Sequence, residues 1–186
     1  MASRSLASPI KQPVAGVVGL GLMGTSIATC LVAAGHRVVA IDKDAARRHS
    51  LKRRVSVLLR EMRREKLLAK DPASVLTHLS TSNDFGALRD CGLVIESIFE
   101  NLGEKREVLR KIEDAVSPET LIGSNTSALP VTELQRGARH PERILGGHRA
   151  MPSRINPRSS LALSAMTFAS YSSAHSSHMT CKERNP

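Results

Sequence analysis

The 186 residues, 41% of them hydrophobic, suit one domain, or one domain and part of another, with an aliphatic core, since only Phe85, Phe99, Phe168 and Tyr171 are aromatic. Lys and Arg number 27 against 17 Asp and Glu, for a net charge of +10 that calls for an explanation. No apolar run approaches the roughly 20 residues of a membrane span, and Cys30, Cys91 and Cys181 lie too far apart for a CxxC pair or a cysteine metal cluster.

Residues 1–13 read as a flexible leader with Arg4 and Lys11 but no apolar signal core, so a cytoplasmic, reducing location is expected. The apolar run Val14 to Val18 predicts a buried strand, and Gly19-Leu20-Gly21-Leu22-Met23-Gly24 follows it directly. In this order Gly19 permits a tight turn and Gly21 lets the backbone approach a pyrophosphate. Gly24 lets a helix pack on the strand with its N-terminal N–H groups facing the phosphates. Ile27, Leu31 and Val32 give that helix an apolar face shared by a buried Cys30, and Gly35 stands where a left-handed C-cap belongs. Arg37 to Ile41 predicts a second strand ending on Asp42, roughly 20 residues past the glycines. A carboxylate there accepts from both ribose hydroxyls and repels a 2′-phosphate, which favours NAD over NADP.

Much of the positive charge falls in residues 43–70, where Val55, Leu58, Leu59, Met62 and Leu67 run among eleven Lys and Arg. This predicts a long basic helix or a helical hairpin. Its charge has three readings: a solvated face, a nucleic-acid surface, or a site for a polyanionic small molecule. The lack of interleaved aromatics counts against single-stranded nucleic acid. Farther on, Val75 to Leu79 is a candidate third strand and Gly92 to Ile95 a fourth, ending on Glu96. Gly103 to Val116 is a helix stopped by Ser117-Pro118. Leu121 to Gly123 is a fifth strand that leads into Ser124-Asn125-Thr126-Ser127. A short helix over Val131 to Arg136 and a sixth strand over Arg143 to Gly147, delivering His148, complete the pattern. Strands alternating with helices, and polar residues at strand carboxyl ends, predict a Rossmann-type α/β domain over 14–157 with a doubly wound, mainly parallel sheet. The serine-rich remainder, 158–186, is expected to be poorly structured.

Four elements together resemble the NAD-binding domain of L-3-hydroxyacyl-CoA dehydrogenases. They are Gly19 to Gly24, Val94-Ile95-Glu96-Ser97-Ile98-Phe99-Glu100-Asn101, Ser124 to Ser127, and His140-Pro141-Glu142-Arg143 before Gly147-His148. The resemblance covers about Pro13 to Pro157 and implies NAD-linked oxidation of a 3-hydroxyacyl thioester to its 3-keto form. Carried over by motif, Glu100 and Lys105 match cofactor-contacting residues. Ser127 matches a serine that binds the reacting oxygen beside the cofactor, and His148 matches the general base. An imidazole that titrates near working pH suits removal of the hydroxyl proton as hydride departs. The family's coenzyme A lies against a basic helical excursion, which residues 43–70 supply. The partner implied is a 3-hydroxyacyl-CoA or related hydroxy acid, with no metal, nucleic acid or membrane.

The chain also departs from the family pattern. Ser160 stands where an acid orients the histidine, Met151 where an asparagine often follows, and Arg149 where an aromatic is expected. The helical C-terminal domain, with its dimer interface, part of the acyl pocket and a further asparagine, has no counterpart in these residues. The expectation is a truncated or frame-shifted member, weakly active or inactive. The alternatives are a dehydrogenase of a free hydroxy acid, of gulonate or carnitine type, and a non-catalytic NAD-binding module. The 3-hydroxyisobutyrate and 6-phosphogluconate dehydrogenases share the glycine turn but lack the Glu-Asn and Ser-Asn-Thr-Ser elements, and rank below these.

Overall fold

A computed structural model describes residues 14–146. The expectations for the leader, for His148 with Arg149 and Met151, and for the tail with Ser160 lie outside them. Strand β1 (Val14–Val18) is apolar throughout, as a strand covered on both faces requires. Helix α1 (Leu22–Ala33) buries Ile27, Cys30, Leu31 and Val32. It ends where His36 N–H reaches Leu31 O and Gly35 N–H reaches Val32 O, both at 3.0 Å, with Gly35 at φ +96°. That pair of bonds is the left-handed cap expected of this glycine. Strand β2 (Val38–Ile41) starts one residue later than predicted.

The cationic stretch forms a single 20-residue helix, α2 (Ala45–Arg64), the first of the two forms expected of it. Asp44 caps it, accepting from Ala46 N–H at 2.8 Å and Arg47 N–H at 3.3 Å. Leu51, Val55 and Leu59, spaced four apart, are fully buried. Leu67, expected on the apolar side, is 52% exposed, and its neighbour Leu68 is buried in its place.

The candidate strand at Val75 to Leu79 is corrected by the structure. Pro72–Leu76 is a short helix, α3, and the strand, β3, lies at Leu79–Ser82. Asp71 caps Ser74 N–H at 3.1 Å with Pro72 in the first turn, and that start signal outweighs the apolar run. The true strand reads Leu-Ser-Thr-Ser because it is a sheet edge, paired only to β2, with Ser80 and Thr81 exposed.

Strand β4 (Cys91–Glu96), helix α4 (Leu102–Ala115), strand β5 (Leu121–Ser124), helix α5 (Val131–Gln135) and strand β6 (Ile144–Gly146) follow close to the predicted bounds. The six strands run parallel in the order β3-β2-β1-β4-β5-β6, the doubly wound topology. Two apolar cores result. One gathers Val17, Ile27, Leu31, Leu51, Val55 and Leu59, and the other Leu88, Val94, Leu109, Ile112, Ile122 and Ile144. Cys91 is buried in the second, where burial and then the nearby Asp90 charge push its thiol up to about 11.

The His-Pro-Glu-Arg element joins α4 to β6. Arg143, almost fully buried, donates to Ser117 O at 2.5 Å and lies 3.5 Å from Glu113. The Glu113 carboxylate also accepts from the Arg139 and His140 N–H groups at 3.1 Å each. These bonds set the point at which β6 enters the sheet.

The α2 packing gives a direct test. Leu59→Ala should destabilise the chain by about 2–5 kcal/mol, a buried leucine's ordinary loss. Leu67→Ala should stay within about 0.5 kcal/mol. Urea unfolding of the two variants checks the contrast.

Candidate dinucleotide site

The parallel register brings the carboxyl ends of the inner strands into one row. Val18 stands opposite Ile41 on one side and Glu96 on the other, and Glu96 opposite Ser124. Strand order reverses between β1 and β4, and the crevice beyond such a point is where open α/β sheets take ligands.

The glycine turn sits at this reversal. Gly19 takes φ +94°, and a Cβ there would lie 2.5 Å from Ser97 O. At Gly24 a Cβ would stand 1.8 Å from Gly19 O, so helix and turn touch backbone to backbone. Gly21 differs, with an ordinary φ of −67° and nothing within 4 Å of a built Cβ. The fold itself therefore does not call for glycine at position 21. Gly21 is also the N-cap of α1 and supplies no side-chain cap, leaving the first-turn N–H groups beside Leu22, Met23 and Gly24 for an anion.

Asp42 lies just past β2 and is 6% exposed. One carboxylate oxygen accepts Leu20 N–H at 2.7 Å and the other Asp44 N–H at 2.9 Å, with Arg47 at 3.8 Å. Each oxygen keeps lone-pair capacity for a further donor such as a ribose hydroxyl. An anion cradle at an uncapped helix start and an acid 18 to 23 positions beyond the glycines fit the adenosine and pyrophosphate parts of NAD.

Below the crevice lies a buried polar cluster. Glu96 and Lys105 are both 0% exposed, and the Lys105 ammonium donates to the two Glu96 oxygens at 2.8 and 3.1 Å. Glu96 also accepts Ile98 N–H at 2.7 Å and the Ser124 hydroxyl at 2.6 Å. Lys105 reaches Ile98 O at 3.3 Å and lies 3.7 Å from Glu100. Its charge thus faces inward, between two carboxylates.

Glu100 carries the link onward, accepting the Thr126 hydroxyl and, at 3.1 Å each, the N–H groups of Ser127 and Ala128. Burial pushes its carboxyl up, but the Thr126 and Ala128 hydrogen bonds, the Lys105 charge and the Ser127 N–H outweigh that and hold it below its ordinary value. Asn125 completes the loop, with its N–H on Glu96 O at 2.7 Å and its side chain on the Ser97 hydroxyl at 3.2 Å. Ser127 is held through its backbone and exposes its side chain. His148 lies outside the described residues, two positions after β6 ends. Among the described residues no group of three or more His, Cys, Asp or Glu is placed for a metal, and no helix is long and apolar enough to cross a membrane.

Glycine turn, an acid at the end of the second strand and a parallel sheet together define a dinucleotide-binding domain. Comparison with known proteins makes this specific: residues 14–159 match the model of the 3-hydroxyacyl-CoA dehydrogenase NAD-binding domain, and the chain belongs to that family, whose cofactor is NAD. It is 34% identical over 151 residues to the fatty acid oxidation complex subunit alpha of Vibrio vulnificus, covering 80% of this chain and 21% of that protein. Over 138 residues it is 33% identical to a probable 3-hydroxybutyryl-CoA dehydrogenase of Bacillus subtilis, covering 73% and 48%. The crystal structure of (S)-3-hydroxybutyryl-CoA dehydrogenase from Ralstonia eutropha superposes with a TM-score of 0.67 at 32% identity, covering 72% of this chain and 48% of that one. The chain therefore spans about half the length of these relatives, or less.

The Glu100 contacts imply a pH dependence. A carboxyl whose folded pKa is lowered stabilises the fold fully above its ordinary 4.5, and that contribution is lost as pH falls through the lowered value. Glu100→Gln should therefore lower the thermal midpoint at pH 7, with the gap from the unaltered chain closing below pH 4.5. A gap that is constant with pH in calorimetric scans would contradict the assignment.

Proposed function

We propose that this chain is the NAD-binding part of an L-3-hydroxyacyl-CoA dehydrogenase, which oxidises a 3-hydroxyacyl-CoA to the 3-ketoacyl thioester. The observation that carries the reading is the tie between the two loops at the strand ends. Glu100 grips the backbone of Ser127 while Lys105, anchored on Glu96, neutralises Glu100 from beneath. That brace ties the Ser127 loop to the end of β4, where Ser97 N–H in turn donates to Val18 O, just before the glycine turn, at 2.7 Å.

Gly19, Leu20, Gly21, Leu22, Met23 and Gly24 would hold the pyrophosphate, Asp42 the adenosine ribose, and Glu100 with Ser127 the nicotinamide half, Lys105 acting through Glu100. NAD, when bound, supplies the hydride acceptor. Ser127 would then hold the reacting oxygen while His148 takes its proton, the division of labour that positioning and general-base chemistry favour. Ser160 stands where the family's orienting acid would be, and a general-base histidine lacking such an acid would lose control of its tautomer. A comparable loss of tautomer control in the serine-protease triad lowers turnover about 10⁴-fold.

Titration with NADH and NADPH, followed by assay of acetoacetyl-CoA reduction, tests this. NADH should bind far more tightly than NADPH, and Asp42→Ala should erase the preference. Gly21→Val should abolish NADH binding in a chain that stays folded, because the fold itself leaves space there. Reduction of acetoacetyl-CoA should be slow and should vanish in His148→Ala. Robust turnover that survives His148→Ala would reject the catalytic assignment. NADH binding without any reduction would favour the non-catalytic module.

A further inference from the structure

Within the cationic run of α2, Arg54 behaves unlike its neighbours. Its side chain turns inward: one terminal nitrogen donates to the Thr25 hydroxyl at 2.6 Å, and the other to Leu20 O at 3.0 Å and Arg47 O at 3.1 Å. Leu20 is the second residue of the glycine turn, and its N–H is already given to Asp42 at 2.7 Å. One residue of the phosphate turn is thus gripped at both polar groups, by β2's terminal acid and by an arginine from the third turn of α2. Thr25 shares the arrangement, since its hydroxyl donates to Gly21 O at 2.8 Å while accepting from Arg54. Arg47 lies 3.8 Å from Asp42, so the contacts close a ring from Asp42 through Leu20, Arg54 and Arg47 back to Asp42.

We propose that Arg54 is a positioning residue for dinucleotide binding, which locks the Leu20–Gly21 segment so that the turn meets a pyrophosphate without rearrangement. The inference rests on reading the chain as NAD-binding. A guanidinium suits the task because its planar fork reaches several carbonyl and hydroxyl oxygens at once in fixed directions. A lysine ammonium carries the same charge without that geometry. Holding the turn in advance removes an ordering cost that binding would otherwise bear. All three acceptors are neutral oxygens, and among the described residues no carboxylate forms an ion pair with Arg54. Its partners are therefore the turn and the helix starts, not a neutralising acid.

Arg54→Met and Arg54→Lys separate this role from that of a bare charge. NADH affinity is read by its fluorescence, and adenosine affinity, which needs Asp42 but no phosphate turn, by calorimetry. Both variants should lose about tenfold or more in NADH affinity, the scale of hydrogen bonds to a charged group, with a clearly smaller loss for adenosine, since Asp42 is also held by the Asp44 N–H outside the ring. Full NADH affinity in Arg54→Lys would overturn the proposal in favour of simple charge, and full affinity in Arg54→Met would overturn any role. A parallel fall for adenosine and NADH would assign Arg54 to the fold alone. Should Arg54→Met fail to fold, Thr25→Val removes one of the fork's acceptors and should give a partial NADH loss with adenosine unchanged, while unchanged NADH affinity there would count against the proposal. Failure of the unaltered chain to bind NADH is a separate result, which would overturn the parent reading and this inference with it.

Discussion

Lys105 has no solvent exposure, and its ammonium pairs with the equally buried Glu96 carboxylate 2.8 Å away. Such a pair is expensive to desolvate and is tolerable only when the remaining lone pairs are used. Here they are, because Ile98 N–H and the Ser124 hydroxyl take up the rest of Glu96. The strands can therefore end on polar residues and still pack tightly. The same ion pair joins the end of β4 to α4 and the end of β5, so the polar edge of the sheet is held as one unit. Removing Lys105 would leave the Glu96 carboxylate buried without a cation, whereas removing Glu96 would leave Lys105 with Glu100 alone, 3.7 Å away.

Most of the chain's architecture was legible in its residues because a parallel sheet buried on both faces leaves a plain mark. Val14 to Val18, Gly92 to Ile95 and Leu121 to Gly123 are short apolar runs, and each proved to be a strand. The miss at Val75 has a physical cause. An apolar run of that length suits a buried strand or one turn of helix, and Asp71-Pro72 decided for helix. Edge strand β3 escaped notice because a strand that is half in water needs little hydrophobic sequence.

The candidate site was legible where the turn imposes a backbone requirement, as at Gly19 and Gly24, where an added Cβ would strike Ser97 O and Gly19 O. The contact of Glu100 with the Ser127 N–H appears only in the fold. In the sequence Glu96 is the end of a strand and one member of the Val94 to Asn101 motif, with no role of its own. Its importance comes from Lys105 nine residues later and Ser124 across the sheet, a convergence that requires the fold. The available clue was an acid closing an apolar strand, which burial makes costly without a cation. Arg54 left no clue among so many other basic residues, since which face of α2 it occupied depended on how Leu51, Val55 and Leu59 seated the helix.

The polar character of β3 bears on how the molecule coexists with its own copies. The outer side of that strand presents backbone groups that another extended segment could pair with, as any sheet border does. It is four residues long, exposes Ser80 and Thr81, and has the Ser80 hydroxyl turned back to Val38 O at 3.1 Å. Little apolar surface is left there to reward a visiting strand. The sheet's border on that side thus ends in a short, water-compatible margin that discourages growth into larger assemblies, although its inner strands carry the Val- and Ile-rich sequences most prone to it.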